Sequence, residues 1–194
     1  MIIVVRHGRT EANASGLLLG RSDPSLDELG RRQADAAGDA LRGVGTVISS
    51  PLARCRETAE AIAAKSDTTV DIDDRFIELN YGDWEGRPVG DVTGDEWTSW
   101  RADIDFSPPG GESLAALGDR VRSGLDDLVG RAADDDVVVV THVSPLKAAV
   151  AWALGVGDEV SWRMFVSNAS IVRIAVTRGP SLHSFGEIAH LRNL

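Results

Sequence analysis

Short runs of aliphatic residues alternate along the chain with longer stretches of helical periodicity. Ile2 to Val5 is a continuous β-branched run, which predicts a strand buried on both faces. Residues 7–25, rich in Gly, Ser, Asn and Asp, predict a loop. Leu26, Leu29, Ala34, Ala37 and Leu41 share a face and predict a helix from about Leu26 to Arg42. "TVISS" is a second buried strand. Ser50 and Pro51 then have the N-cap and first-turn signature of a helix running through "LARCRETAEAIAA". "TTVDID" and "RFIEL" predict short strands. From Asn80 to Gly111 the pattern loosens, with one helix near "DEWTSWRAD". Glu112 to Ala132 reads as a helix, and "DDDVVVVTH" as a strand that ends on a histidine. Ser144 and Pro145 repeat the cap-plus-proline signature for a helix to about Leu154. "SIVRIAVT" and "SLHSFGEIAHL" alternate as closing, antiparallel strands.

Strands alternating with helices predict an α/β fold, a three-layer α/β/α sandwich around a mostly parallel central sheet. One domain over 1–194 is expected, with a small cap-like segment at about 80–111. Ligands of such sheets bind at the carboxyl ends of the strands. Arg6 and His7 follow the first strand, Arg54 lies in the first turns of the helix after "TVISS", and His142 follows "VVVVT". Three segments thus bring Arg, His, Arg and His to one sheet edge. Two of them also bring helix N-termini, which favour anions. Cations repel one another, so this cluster calls for an anion.

Composition sharpens that expectation. The 194 residues carry a net charge of -10, with a pI of about 4.8, so the overall field repels nucleic acid and anionic membranes. A small anionic ligand must then be held locally. Lysines are scarce: Lys65 and Lys147 are the only two among twenty basic residues. A single cysteine, Cys55, excludes a disulfide within the chain and suits a reducing cytoplasm. The apolar start "MIIVV" is too short for a signal peptide or membrane span, so a cytoplasmic location is expected.

"VVRHGRTEAN", "SSPLARCRETAEAI", "FIELNYGDWEG", "PPGGES" and "VVVVTHVSPLKA" together resemble, in order and spacing, the histidine phosphatase superfamily that includes phosphoglycerate mutase-like enzymes. The resemblance covers nearly the whole chain. It implies that His7 is the nucleophile that becomes a phosphohistidine, and that Arg6, Arg54 and His142 clamp the phosphoryl group. It implies that Asn13 and Thr10 line the same pocket and that Glu78 is the general acid. Family members often carry two glycines after the second histidine. Here Val143 offers a backbone N–H to phosphate in their place, followed by Ser144 and Pro145. The variant "HVSPLK" is similar to a branch with acid phosphatases and α-ribazole phosphatase-like proteins.

Hydrolysis of small phosphomonoesters is the expected function. Cofactor-dependent phosphoglycerate mutase-type transfer and a non-catalytic phosphate-binding regulator are the alternatives. A mutase needs a second anion site, whereas the stretch 80–111 holds seven acidic residues against Arg87 and Arg101. Keeping both nucleophile and acid argues against a regulator. Trp84, Trp97 and Trp100 offer an apolar wall for a leaving group or pack the cap. Other residues admit plainer roles: Arg54 could pair with Glu57, and Glu78 with Arg75 or Arg87. Arg9 and Arg21 read as rim or surface groups, and His183 and His190 as strand or surface histidines. Nothing has metal-ligand spacing, so no metal and no cofactor are expected. The expected partner is a small phosphorylated metabolite, with the protein a monomer or homodimer. Substrate choice is assigned to the cap and to the loop from Ser15 to Pro24.

Overall fold

The aliphatic runs pair into one sheet in the computed structural model, which describes residues 1–194. In chain order the elements are β1 (Ile2–Arg6), α1 (Glu11–Ala14), α2 (Glu28–Ala40), β2 (Thr46–Ser49), α3 (Ala53–Ala64), β3 (Val70–Ile72), α4 (Gly94–Ala102), α5 (Leu114–Asp134), β4 (Val137–Thr141), α6 (Val143–Leu154), β5 (Ile171–Ala175) and β6 (Ser181–Glu187). The sheet order is β3-β2-β4-β1-β5-β6. β3, β2, β4 and β1 run parallel, β5 is antiparallel to β1, and β6 to β5.

Successive strand side chains point to opposite faces, so one sheet serves two cores. Ile2, Val4, Ile48, Val137 and Val139 pack with α5 and α6 residues such as Leu125 and Leu146. Ile3, Val5, Val47, Val138 and Val140 pack on the other face with Ala37 of α2 and Ile62 of α3. The expected three-layer sandwich with its mostly parallel sheet is what forms. Burying each Val, Leu or Ile side chain contributes about 1.5–3 kcal/mol, before the entropy of ordering it. The segment 80–111 shares the first of these cores, because Trp84, Val92 and Trp100 join Leu114 and Leu117 of α5 there.

Several local expectations are corrected. The loop after β1 contains the one-turn helix α1, closed by a capping box between Thr10 and Asn13. α2 begins at Glu28, because the Asp27 carboxylate accepts the Gly30 N–H. "RFIEL" is not a strand: Asp73 caps a 3₁₀ turn over Asp74–Phe76, and the chain then runs extended through Ile77. Ser50 does not cap α3, whose N-cap is Leu52, and Ser144 does not cap α6, whose N-cap is His142. Pro145 sits in the first turn of α6, where its missing N–H has no carbonyl to bond. β6 stops at Glu187, and His190 lies in a 3₁₀ turn, Ala189–Leu191.

Candidate active site

Strand register assembles the site. Arg6 pairs with Thr141 across β1 and β4, and Ser49 with Val140 across β2 and β4. The His7 N–H donates to Thr141 O at 2.9 Å and the Ser50 N–H to Val140 O at 3.0 Å, which adds one rung to each ladder. His7, Ser50 and His142 therefore leave three adjacent strands at one level. Gly8 then turns the chain against α2. A Cβ there would stand 2.4 Å from Gly30 O, so only glycine permits this approach.

The His7 Nδ1 lies 2.6 Å from the Gly8 carbonyl oxygen. A carbonyl only accepts, so in the neutral ring Nδ1 carries the proton and Nε2 is bare. Burial, with help from Arg6 and Arg54, holds His7 well below the usual imidazole value of 6.5. The neutral ring is thus the form present near neutral pH. Arg6 donates from Nη1 to Val166 O at 2.7 Å, while its Nε–H is buried without any partner. Burial pushes the Arg6 guanidinium down to about 10, against the opposing pull of Glu78.

Arg54 is fully buried and makes no pair with Glu57. It donates to Ser22 O at 2.7 Å, to Gly20 O at 2.9 Å and, through Nε, to His142 Nδ1 at 3.2 Å. Guanidinium only donates, so the neutral His142 carries its proton on Nε2, which lies 2.7 Å from Ser50 Oγ. Burial, Arg54 and His7 hold His142 well below 6.5 as well. The two imidazole rings stand edge to face, with centroids 5.1 Å apart. Both nitrogens of His142 are thus engaged within the chain.

Glu78 is 3% exposed and pairs with neither Arg75, which bonds Asp73 and Asp127, nor Arg87, which bonds Glu96. Its carboxylate accepts N–H groups from Leu79 at 2.8 Å, Val143 at 3.0 Å and Ser144 at 3.2 Å. The N-terminus of α6 is therefore filled by a side chain of the protein. The N-terminus of α3 is filled likewise, since the Ala53 N–H donates to Asp23 Oδ1 at 2.5 Å. The expected use of these two helix ends as phosphate cradles does not fit this arrangement. Val143 in particular directs its N–H to Glu78.

A cavity of about 170 Å³ opens between these groups, lined by Arg6, His7, Asn13, Glu78, Tyr81 and Val143 among others. Asn13 Oδ1 accepts from the Thr10 N–H and from Asn168, which leaves the Asn13 amide NH₂ without a partner in the chain. Thr10 is fully buried as the cap of α1 and does not line the cavity. Arg9 bonds Asp27, and Arg21 lies 3.4 Å from Glu112, both away from the cavity. The acidic residues of 80–111 also face elsewhere: Asp83, Asp91, Asp95, Asp103 and Asp105 are exposed. No group of three or more His, Cys, Asp or Glu side chains converges as a metal site would require.

Sequence reasoning passed over Glu85 and Asn168, and gave Ser50 only a capping role. Glu85 gathers the N–H groups of Gly20, Arg21 and Ser22, and so turns the loop that holds Arg54. Asn168 reaches Asn13 at 3.1 Å, and the adjacent Ala169 N–H donates to His7 O at 3.1 Å. Ala169 holds φ +53, a left-handed conformation that only surrounding contacts keep in a residue with a Cβ. These partners are hydrogen bonds between distant segments, and no local spacing signals them.

The model for the histidine phosphatase superfamily (branch 1) matches residues 2–185. The "Bifunctional protein Rv2228c" of Mycobacterium tuberculosis is 35% identical over 88% of this chain, which matches 48% of that protein. The chain thus spans about half the length of the first curated relatives it matches. The "Probable phosphoglycerate mutase GpmB" of Yersinia enterocolitica is 34% identical over 98% of this chain and 94% of its own. A phosphoserine phosphatase from Entamoeba histolytica, solved with 3-phosphoglyceric acid, superposes with a TM-score of 0.89 at 28% identity, covering 98% of both chains. With Arg6 and His7 at one cavity, Arg54 and His142 buried behind them, and a family match along almost its full length, the chain belongs to the histidine phosphatase superfamily.

Proposed function

We propose that the chain is a phosphatase that hydrolyses small phosphomonoesters by way of a phosphohistidine on His7. The observation that carries this reading is the His7 tautomer, with Nδ1–H tied to Gly8 O and Nε2 bare beside two guanidiniums. Nε2 attacks phosphorus as the ester P–O bond breaks. The phosphoryl oxygens find the unpartnered Arg6 Nε–H and the remaining donors of Arg54 and Asn13. Glu78 enters this step as the neutral acid, gives its proton to the leaving alkoxide, and as the resulting carboxylate takes one from the water that attacks the phosphohistidine. The P–N bond breaks, and the net change is ester plus water to alcohol plus inorganic phosphate. His142 acts by holding Arg54 and packing against His7.

A mutase reading is favoured by the GpmB relatives. Hydrolysis is preferred because a bisphosphate would need a second cluster of cations. Arg87 bonds Glu96, and Arg101 is exposed against Trp97 and Trp162. Only Lys147 is left near the cavity. Phosphate release and isomerisation are to be compared on 3-phosphoglycerate with a catalytic amount of 2,3-bisphosphoglycerate. An alkaline quench should trap phosphohistidine during turnover, since this adduct is labile to acid. Faster isomerisation than release would make the chain a mutase. Phosphate release without a His7 adduct, and unaffected by His7→Ala, would overturn the covalent route.

A further inference from the structure

A second cavity, of about 140 Å³, adjoins the first and shares Leu18, Tyr81 and Val143 with it. Its walls are mostly apolar, with Trp97, Trp100 and Trp162 in mutual contact, the last two with ring centroids 4.9 Å apart. Its polar groups need an explanation. The indole N–H groups of Trp100 and Trp162 are buried with no hydrogen-bond partner. Such groups are rare in native proteins and mark a missing acceptor. Lys147 lines the same cavity and forms no ion pair. It lies four residues after Val143 on α6, hence on the same face and about 6 Å along the axis.

Cation and orphan donors in an aromatic chamber fit a ligand with an acceptor-rich end and a small body. The chamber holds too few cations for a second phosphate. A single carboxylate matches one ammonium, and the indole N–H groups add directional donors. The spacing of about one helical turn suits a leaving group of two or three carbons between the phosphate and that carboxylate.

We propose that this chamber is the leaving-group subsite and that Lys147 selects phosphomonoesters whose alcohol carries a carboxylate. The inference rests on the phosphatase reading above, because it takes the first cavity as the phosphoryl site. Burial lowers the Lys147 ammonium from its usual value, and Glu78 opposes the shift, consistent with a cation awaiting a counter-charge.

The matched pair 3-phosphoglycerate and glycerol 3-phosphate differ only in a carboxylate against a hydroxymethyl group. Wild-type kcat/KM should favour the carboxylate on the order of 10–100-fold. Lys147→Met should remove that preference and leave glycerol 3-phosphate within about threefold, while Lys147→Arg should keep part of it. Calorimetric binding of both compounds to His7→Ala reads the same preference without turnover. Equal treatment of the pair by wild type in binding and in turnover overturns the proposal. So does an equal loss on both compounds in Lys147→Met. A binding preference that survives with no hydrolysis of either compound overturns the phosphatase reading alone.

Discussion

Around His7 the polar atoms are largely engaged by the chain itself, whereas around Trp100 the polar atoms wait for partners. At and behind the first cavity Arg54, His142, Glu78 and Asn13 each bond a neighbour from a distant segment, and the Arg6 Nε–H and the Asn13 NH₂ are left without partners. In the aromatic chamber the packing is dense, yet two indole N–H groups and Lys147 lack acceptors. Hydrogen bonds orient the first region before any ligand arrives. Shape and a few free donors define the second. On the proposed reading, chemistry is built to be constant, and selection to be adjustable by a handful of side chains.

The sharpest way to break this contrast is to remove His7, the proposed nucleophile. His7→Ala should lower phosphoryl transfer on the order of 10⁴-fold or more, whatever the leaving group, as measured by single-turnover quench. Less than tenfold would move the reacting atom elsewhere.

Glu78→Gln tests whether Glu78 moves a proton or only caps α6. As an acid it should matter on the order of 10²–10⁴-fold for an alkyl phosphate, and far less for p-nitrophenyl phosphate, whose leaving group needs no proton. As a cap it should matter equally for both. The amide also leaves at least one of three N–H donors unmatched, so a stability loss of about 1–3 kcal/mol should accompany either outcome in denaturant melts.

Glu85→Gln should act through Arg54. The loop 20–22 loses the carboxylate that gathers its N–H groups. Phosphate should then inhibit about tenfold more weakly, because a clamp set in place by hydrogen bonds has lost its support. The leaving-group preference should be unmoved. A change in preference with unchanged phosphate affinity would blur the division between the two regions.

The smallest effect is on stability against pH. His7 and His142 titrate well below 6.5 when folded, so just below 6.5 the unfolded chain binds more protons than the folded one. Stability should therefore be full above pH 7 and fall as pH drops below about 6.5. His142→Gln should flatten the slope of melting temperature between pH 7 and 5, although the cavity it disturbs lowers the whole curve. An unchanged slope would mean that His142 titrates normally.

The two central strands were readable because "IIVV" and "VVVV" are buried on both faces, a demand that only aliphatic runs meet. The convergence of Arg6, His7, Arg54 and His142 followed from the rule that ligands bind at strand carboxyl ends. Helix starts were misread at Ser50 and Ser144, where good capping residues are used otherwise. The Ser50 hydroxyl meets His142, and the Ser144 N–H meets Glu78. A cap is chosen by what reaches it in three dimensions, and Asp23 and Glu78 come from other segments. The charge of 80–111 misled for a similar reason, since a count of acids does not say which way they face. Trp100 was readable as a wall for a leaving group, but its unpartnered N–H, Trp162 and the role of Lys147 carried no local signal.

The placement of β1 has a consequence for how the enzyme comes into being. Its two sheet neighbours, β4 and β5, both lie in the last third of the chain. β1 must therefore wait for strands that are made much later. His7 acquires its hydrogen bond to Thr141 O only when the late strand β4 docks. Contacts of such long sequence separation form slowly. Activity in a refolding experiment is thus a late clock, reporting closure of the sheet centre.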